Sequence, residues 1–260
     1  MAKLAIGAHV GLENPIEQAI SMGLDHIQIF LGAPQSWKAA EFPHPDGAEG
    51  LKAAALAAGI DIYVHTRYII NVATSNNKVR IPSRKILQGD VIAAAAIGAK
   101  AVIVHGGHVM EGDDPQLGAD NWLKALTQLD MHVPILIENT AGGSHAMARR
   151  LEAISRLWDT VGHTGVGFCL DTCHAHAGGI DMSNLAETIL GITGRIDLIH
   201  CNDSRDAFDS GADRHANLGQ GNISMEDILN CLKIANAPIV LETPSDGVGA
   251  DVATLRSALN

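Results

Sequence analysis

Six times along this chain an apolar, strand-like run stops at a side chain able to ligate a metal ion. IDIYVH ends at His65, AKAVIVH at His105, VPILIE at Glu138, TGVGFCLD at Asp171, RIDLIH at His200 and APIVLE at Glu242. The stops recur roughly every 30 to 40 residues, about one strand-plus-helix unit, which is the spacing of a (β/α)8 barrel. Strand C-termini converge on one face of that fold, so the six side chains would meet in one pocket. A lone histidine at a strand end is more often a hydrogen-bonded structural residue. Agreement among six ends is not explained that way, and it predicts a multi-metal site.

Eight strands are expected at about 4–10, 27–31, 61–65, 100–105, 134–138, 166–171, 196–201 and 238–242, with helices between them. Asn14-Pro15-Ile16-Glu17 combines a capping residue, a first-turn proline and a capping-box glutamate, and Gly23 ends that helix. Ser83 is read as the start of SRKILQGDVIAAAAIG, with Gly98 as its stop, and Ser224 with Asp227 opens SMEDILNCLKIA. Strand–helix alternation without a long linker predicts one parallel α/β domain over 1–260, a TIM-type barrel. Long polar loops follow three strand ends, at 66–82, 106–117 and 202–223, and the third carries a further pair, Asp213 and His215.

Aromatic residues make up only 3% of the chain, so the core must be built from Ala, Val, Ile and Leu. No apolar run approaches the roughly 20 residues of a membrane span, and the short apolar N-terminal stretch reads as a first strand, so a cytoplasmic monomer is expected. Cys169, Cys173, Cys201 and Cys231 lack a zinc-ribbon spacing, and buried reduced thiols are expected. The formal charge of −11 argues against a nucleic-acid partner. Three divalent ions would add +6 and concentrate positive charge in the cleft, so net charge does not decide the substrate.

With His174, which follows Asp171 by three, the candidate ligands are His65, His105, Glu138, Asp171, His174, His200, Asp213, His215 and Glu242. Histidine nitrogens and carboxylate oxygens are zinc ligands, and nine with one shared carboxylate suffice for three ions. Asp213-x-His215 alone reads equally well as a solvated turn. His108, His145 and His176 lie near the face as supporting or incidental residues, and His26, His44, His132 and His163 are read as surface residues. Arg80, Arg84 and Lys85 are either a solvated helix start or a phosphate-contacting edge. No GxGxxG or P-loop pattern occurs, which argues against a nucleotide cofactor.

GAHV (7–10), YIIN (68–71), ENTAGG (138–143), CLDTCHAHAGG (169–179), HCNDS (200–204), DRHANLGQGNI (213–223) and LETP (241–244) together resemble the endonuclease IV (deoxyribonuclease IV) family, in the family's order. HTRYIIN (65–71) and QIFLGAPQSWKA (28–39) resemble its shorter bacterial branch. The resemblance implies a zinc-dependent apurinic/apyrimidinic endonuclease of base-excision repair. His65, His105 and Glu138 would hold one zinc, with Glu138 bridging to a second completed by Asp171, His200 and Glu242. His174, Asp213 and His215 would hold the third. Implied partners are double-stranded DNA with abasic sites or blocked 3′ ends, with the abasic sugar flipped into the pocket. Cleavage 5′ to the lesion would leave a 3′-hydroxyl and a 5′-deoxyribose phosphate, with Glu138 as the catalytic residue.

Tyr68 matches the family's aromatic residue on the minor-groove recognition loop. Where some members place an intercalating arginine, this chain has Gln35, followed by Ser36-Trp37, which shifts lesion contact toward Tyr68 and Ile69. Arg67 and Arg80 are expected to contact phosphate. A one-metal sugar isomerase or epimerase on the same barrel is the competing expectation, since Glu138, Asp171, His200 and Glu242 alone resemble its metal set. Such an enzyme has no need of His65, His105, Asp213 and His215. A lesion-binding protein without catalysis would not need the full set of nine.

Overall fold

The computed structural model describes residues 4–259. In chain order the elements are β1 (Ile6–His9), α1 (Pro15–Met22), β2 (His26–Phe30), α2 (Gly47–Ala58), β3 (Asp61–His65), α3 (Asn77–Ala96), β4 (Ala101–His105) and α4 (Pro115–Gln128). There follow β5 (Ile135–Glu138), α5 (Leu151–Val161), β6 (Gly167–Asp171), α6 (Thr172–Ala177), α7 (Leu185–Thr193) and β7 (Leu198–His200). A two-stranded ribbon, β8 (Asp203–Ser204) with β9 (His215–Ala216), precedes α8 (Met225–Ala235), β10 (Ile239–Leu241) and α9 (Val248–Ala258). Strands β1 to β7 and β10 close a parallel barrel in the order β1-β10-β7-β6-β5-β4-β3-β2. All eight expected barrel strands are present, each within a few residues of its expected span.

Side chains alternate faces along a strand, and this period places the site. Tyr63, Ile103, Leu136, Cys169, Leu198 and Val240 form a small apolar cluster of their own. Their strand neighbours, including Val64, Val104, Ile137, Leu170, Ile199 and Leu241, pack in the larger core with the helices. His65, His105, Glu138, Asp171, His200 and Glu242 each stand two residues beyond a member of the small cluster. The same inward row that fills the barrel with apolar side chains therefore ends, one layer higher, in the candidate ligands. Each strand writes this as apolar-x-ligand.

Two expectations are corrected here. The third helix starts at Asn77, where the Asn76 side chain accepts from the Lys78 amide at 3.0 Å, and it runs through Pro82. Ser83 is buried inside it, its Oγ accepting from the Asn71 amide at 3.0 Å, so the preceding loop is 66–76. His26, expected on the surface, is 2% exposed and gives Nε2–H to the Ile239 carbonyl at 2.8 Å. Gly7 makes the room: a Cβ there would lie 2.2 Å from the His26 ring.

Candidate metal centre

Glu138 is the hub. Its Oε2 lies 3.0 Å from His65 Nε2 and 3.3 Å from His105 Nε2, while its Oε1 lies 3.1 Å from His200 Nδ1. The carboxylate thus gives Oε2 to His65 and His105 and Oε1 to His200, with His174 Nδ1 also 3.2 Å from Oε1. His200 Nδ1 is also 3.3 Å from Glu242 Oε2 and 3.9 Å from Asp171 Oδ2, which completes the second set. On the outer side Asp213 Oδ1 is 3.1 Å from both His174 Nε2 and His215 Nε2. Within each of the sets His65–His105–Glu138, Glu138–Asp171–His200–Glu242 and His174–Asp213–His215, one donor atom per residue lies within 4.8 Å of the others. All nine sequence candidates are brought together.

At four of the histidines the ring nitrogen opposite the one offered to a metal is tied down. His65 Nδ1 donates to the Thr66 carbonyl (2.6 Å), His174 Nδ1 to the Asn139 carbonyl (2.9 Å) and His215 Nδ1 to the Glu242 carbonyl (3.0 Å). His200 is turned the other way, with Nε2 donating to Gln28 Oε1 (2.8 Å). A carbonyl oxygen only accepts, so each outer nitrogen carries a proton and the inner one is the nitrogen free to take a proton or a metal. That is the tautomer a metal ligand needs, fixed by its outer hydrogen bond.

Burial works against charge throughout, and it pushes His105 down to about 4, which keeps the imidazole neutral. At His215 the Asp213 and Asp171 carboxylates outweigh burial and raise it to about 9. They do the same at His174, while carboxylates and Cys169 hold His200 well above the usual range. Burial also opposes ionisation of Glu138, yet His200 and His105 hold it well below the ordinary carboxylate range. So many buried carboxylates collect positive charge, as protons when no cation is there. His215 Nε2 is buried and makes no hydrogen bond, although it faces Asp213. Such an off-line approach suits two ligands of a shared ion better than a donor and its acceptor. The donor set therefore fits divalent cations. Cys173 lies within reach of Asp171 and His215, but burial pushes its thiol up to about 12, away from the thiolate that ligates.

Three supporting residues were not found from sequence. Gln28, fully buried, donates Nε2–H to Glu242 Oε1 (2.6 Å) and toward His9 Nδ1 (3.1 Å) while accepting from His200. Asn202 donates to Asp171 Oδ2 (2.7 Å) and accepts from the Glu242 amide (2.8 Å). Asn139 clamps the Asp171 backbone, accepting at 2.7 Å and donating at 2.9 Å. Gln28 stands two residues before Phe30 on the inward row, so strand phase was the available signal.

The rim carries the residues expected to meet DNA. Tyr68 is 54% exposed, its ring parallel to that of His105 at 5.7 Å. Gln35 is exposed on the loop after β2, and the Tyr68 amide donates to the Pro34 carbonyl at 3.0 Å, joining the two loops. Arg67 does not reach solvent: it is 3% exposed, paired with Asp90 at 3.1 Å, and donates to the Leu31 and Lys38 carbonyls. Its expected phosphate contact is withdrawn, because β3 turns this side chain beneath the loops. Arg80 is half-buried in the first turn of α3 and directs its guanidinium back to the Thr74 carbonyl (3.0 Å) of the preceding loop. His176 donates to the Asp206 carbonyl at 3.1 Å, outside the ligand sets.

A family model described as xylose isomerase-like TIM barrel matches residues 16–259. The chain is 56% identical over 257 residues to a protein named probable endonuclease 4 from Mycobacterium marinum, covering 99% of this chain and 100% of that one. It is 55% identical to a protein of the same name from Mycobacterium tuberculosis, covering 97% of this chain and 98% of that one. Among solved structures it is similar to endonuclease IV from Thermus thermophilus, with a TM-score of 0.84 at 29% identity over 98% of each chain. A D-tagatose 3-epimerase-like protein shares the fold, with a TM-score of 0.80 at 19% identity over 98% of this chain and 97% of that one.

Proposed function

Because the chain belongs to the endonuclease IV family of xylose isomerase-like TIM barrels, we propose that it hydrolyses DNA on the 5′ side of abasic sites, leaving a 3′-hydroxyl and a 5′-deoxyribose phosphate. The observation that carries this is the sharing of Glu138, Oε2 toward His65 and His105 and Oε1 toward His200, by two donor sets beside a third, outer set. A single-ion sugar isomerase uses one set; three call for a substrate with concentrated negative charge.

His65, His105 and Glu138 would hold one zinc, Glu138, Asp171, His200 and Glu242 a second, and His174, Asp213 and His215 a third. Bound there, the ions supply Lewis-acid charge for the phosphodiester and acidify an attacking water toward ~7. The chain does the positioning. Glu138 fixes two sets relative to each other; Gln28 and Asn202 hold His200, Glu242 and Asp171 in place. Tyr68, parallel to His105 at the rim, offers a stacking face where the duplex meets the cleft. An abasic nucleotide has no base to unpair or unstack, so it is the cheapest to swing inward, and selectivity follows from that cost.

Metal analysis of protein prepared without added metal, followed by incision of an abasic duplex with and without chelator, tests this. About three zincs per chain and chelator-sensitive cleavage are expected. One ion per chain with ketose turnover and no incision would replace the nuclease with the epimerase.

A further inference from the structure

Beyond the metal centre, a second cavity of ≈ 320 Å³ opens on the far side of the loop after β5. Gly143 and Ala146 belong both to its wall and to the wall of the cleft that holds Tyr68 and His105. The two spaces therefore share a wall at Gly143 and Ala146. The lining includes Arg149, Arg150, Arg156 and His145, and none of the described lining residues is acidic. This basic lining stands in a chain with 18 Lys and Arg against 29 Asp and Glu. Asp209 draws on two of the arginines, Arg149 at 3.1 Å and Arg150 at 2.7 Å, and leaves Arg156 out. Arg149 Nε is buried with no acceptor among the described residues.

We infer that this cavity seats a backbone phosphate of the bound DNA, several nucleotides from the reacting one, and this rests on the proposed nuclease function. The geometry suits it. Guanidinium groups meet a phosphate as paired donors, and a polyanion leaving the cleft past Gly143 enters the cavity directly. The site would anchor the duplex while reading no base, as phosphate contacts do. A chain of overall negative charge has reason to hold DNA at a few built seats rather than over a basic face.

Arg156 is the clean position to test, since among the described residues the ion pairs to Asp209 are those of Arg149 and Arg150. Labelled abasic and intact duplexes are titrated with wild type, Arg156→Gln and Arg156→Glu at several salt concentrations, after checking that metal content and melting temperature are unchanged. For the glutamine variant, affinity for both duplexes should fall about eightfold at 0.1 M salt, with a salt slope lower by about 1, the contribution of one phosphate. The glutamate variant should lose more. Trimming the duplex from its ends should cost wild type affinity at one step that is absent in both variants. Wild-type affinity and slope in both variants, a loss that ignores duplex length, or abolition of the difference by millimolar inorganic phosphate without a length step would each overturn the assignment. If wild-type protein binds none of the duplexes, the nuclease proposal fails instead.

Discussion

Replacing Gln28 by leucine probes the centre without touching a ligand. Gln28 is fully buried and bridges His200 and Glu242, accepting at 2.8 Å and donating at 2.6 Å. Leucine fills similar space but strands the His200 Nε2–H, so the ring is free to turn and present the wrong nitrogen. It also removes a charge-assisted bond to Glu242, about twice as strong as a neutral one. Loss of such an outer partner typically costs 10–100-fold in metal affinity, or about 1.4–2.7 kcal/mol. The loss should fall on one ion, because His65 and His105 and the outer set have no bond to Gln28. Competition with a chromophoric chelator would show it: about one zinc released far earlier than in wild type, the others at wild-type concentrations. Equal loss of every ion, or wild-type affinity throughout, would refute the idea that the second set is held by Gln28.

Glu138→Gln should leave a folded protein by circular dichroism yet cut abasic duplex at least a thousandfold more slowly, about 4 kcal/mol in the barrier; a change within about tenfold would remove Glu138 from its bridging role. Tyr68→Ala should narrow the affinity gap between abasic and intact duplex by about 1–3 kcal/mol, and an unaltered ratio in titrations would move lesion contact elsewhere. Asp90 offers a pH test: burial outweighs the Arg67 charge and raises its carboxyl to about 6. The folded state then holds this proton more tightly than the unfolded chain, so this contribution is full below about 4 and fades as pH rises through 6. In urea melts of chelated protein, Asp90→Asn should gain on wild type across that window by on the order of 3 kcal/mol, whereas a constant difference would contradict it.

The barrel and the convergence of the candidate ligands were legible because parallel strands in a closed sheet make chain position and spatial layer nearly the same thing. A ligand at a strand end is at the mouth whatever the rest of the fold does. Gln28 escaped because β2 ends at Phe30, so a search of last residues passes over it. His26 escaped for a nonlocal reason: its space is opened by the missing side chain of Gly7 on the next strand. Ser83 mimicked a helix start, while the working cap, Asn76, lay about two turns earlier in a run of polar residues. Arg67 looked like a partner of its exposed neighbour Tyr68, but successive residues leaving a strand face opposite ways, and only one of them faces the mouth.

Arg67 also makes two rim segments into one part. It sits under the loop after β3 yet is bonded to the Leu31 and Lys38 carbonyls of the loop after β2, with Asp90 of α3 bracing it from behind. An engineer who grafts only the 66–76 loop from a relative, hoping to retarget the enzyme, would leave those carbonyls without a donor and Asp90 without its counter-charge. The segments after β2 and β3 and the position of Asp90 form a cassette, and transplanting them together is the way to exchange either.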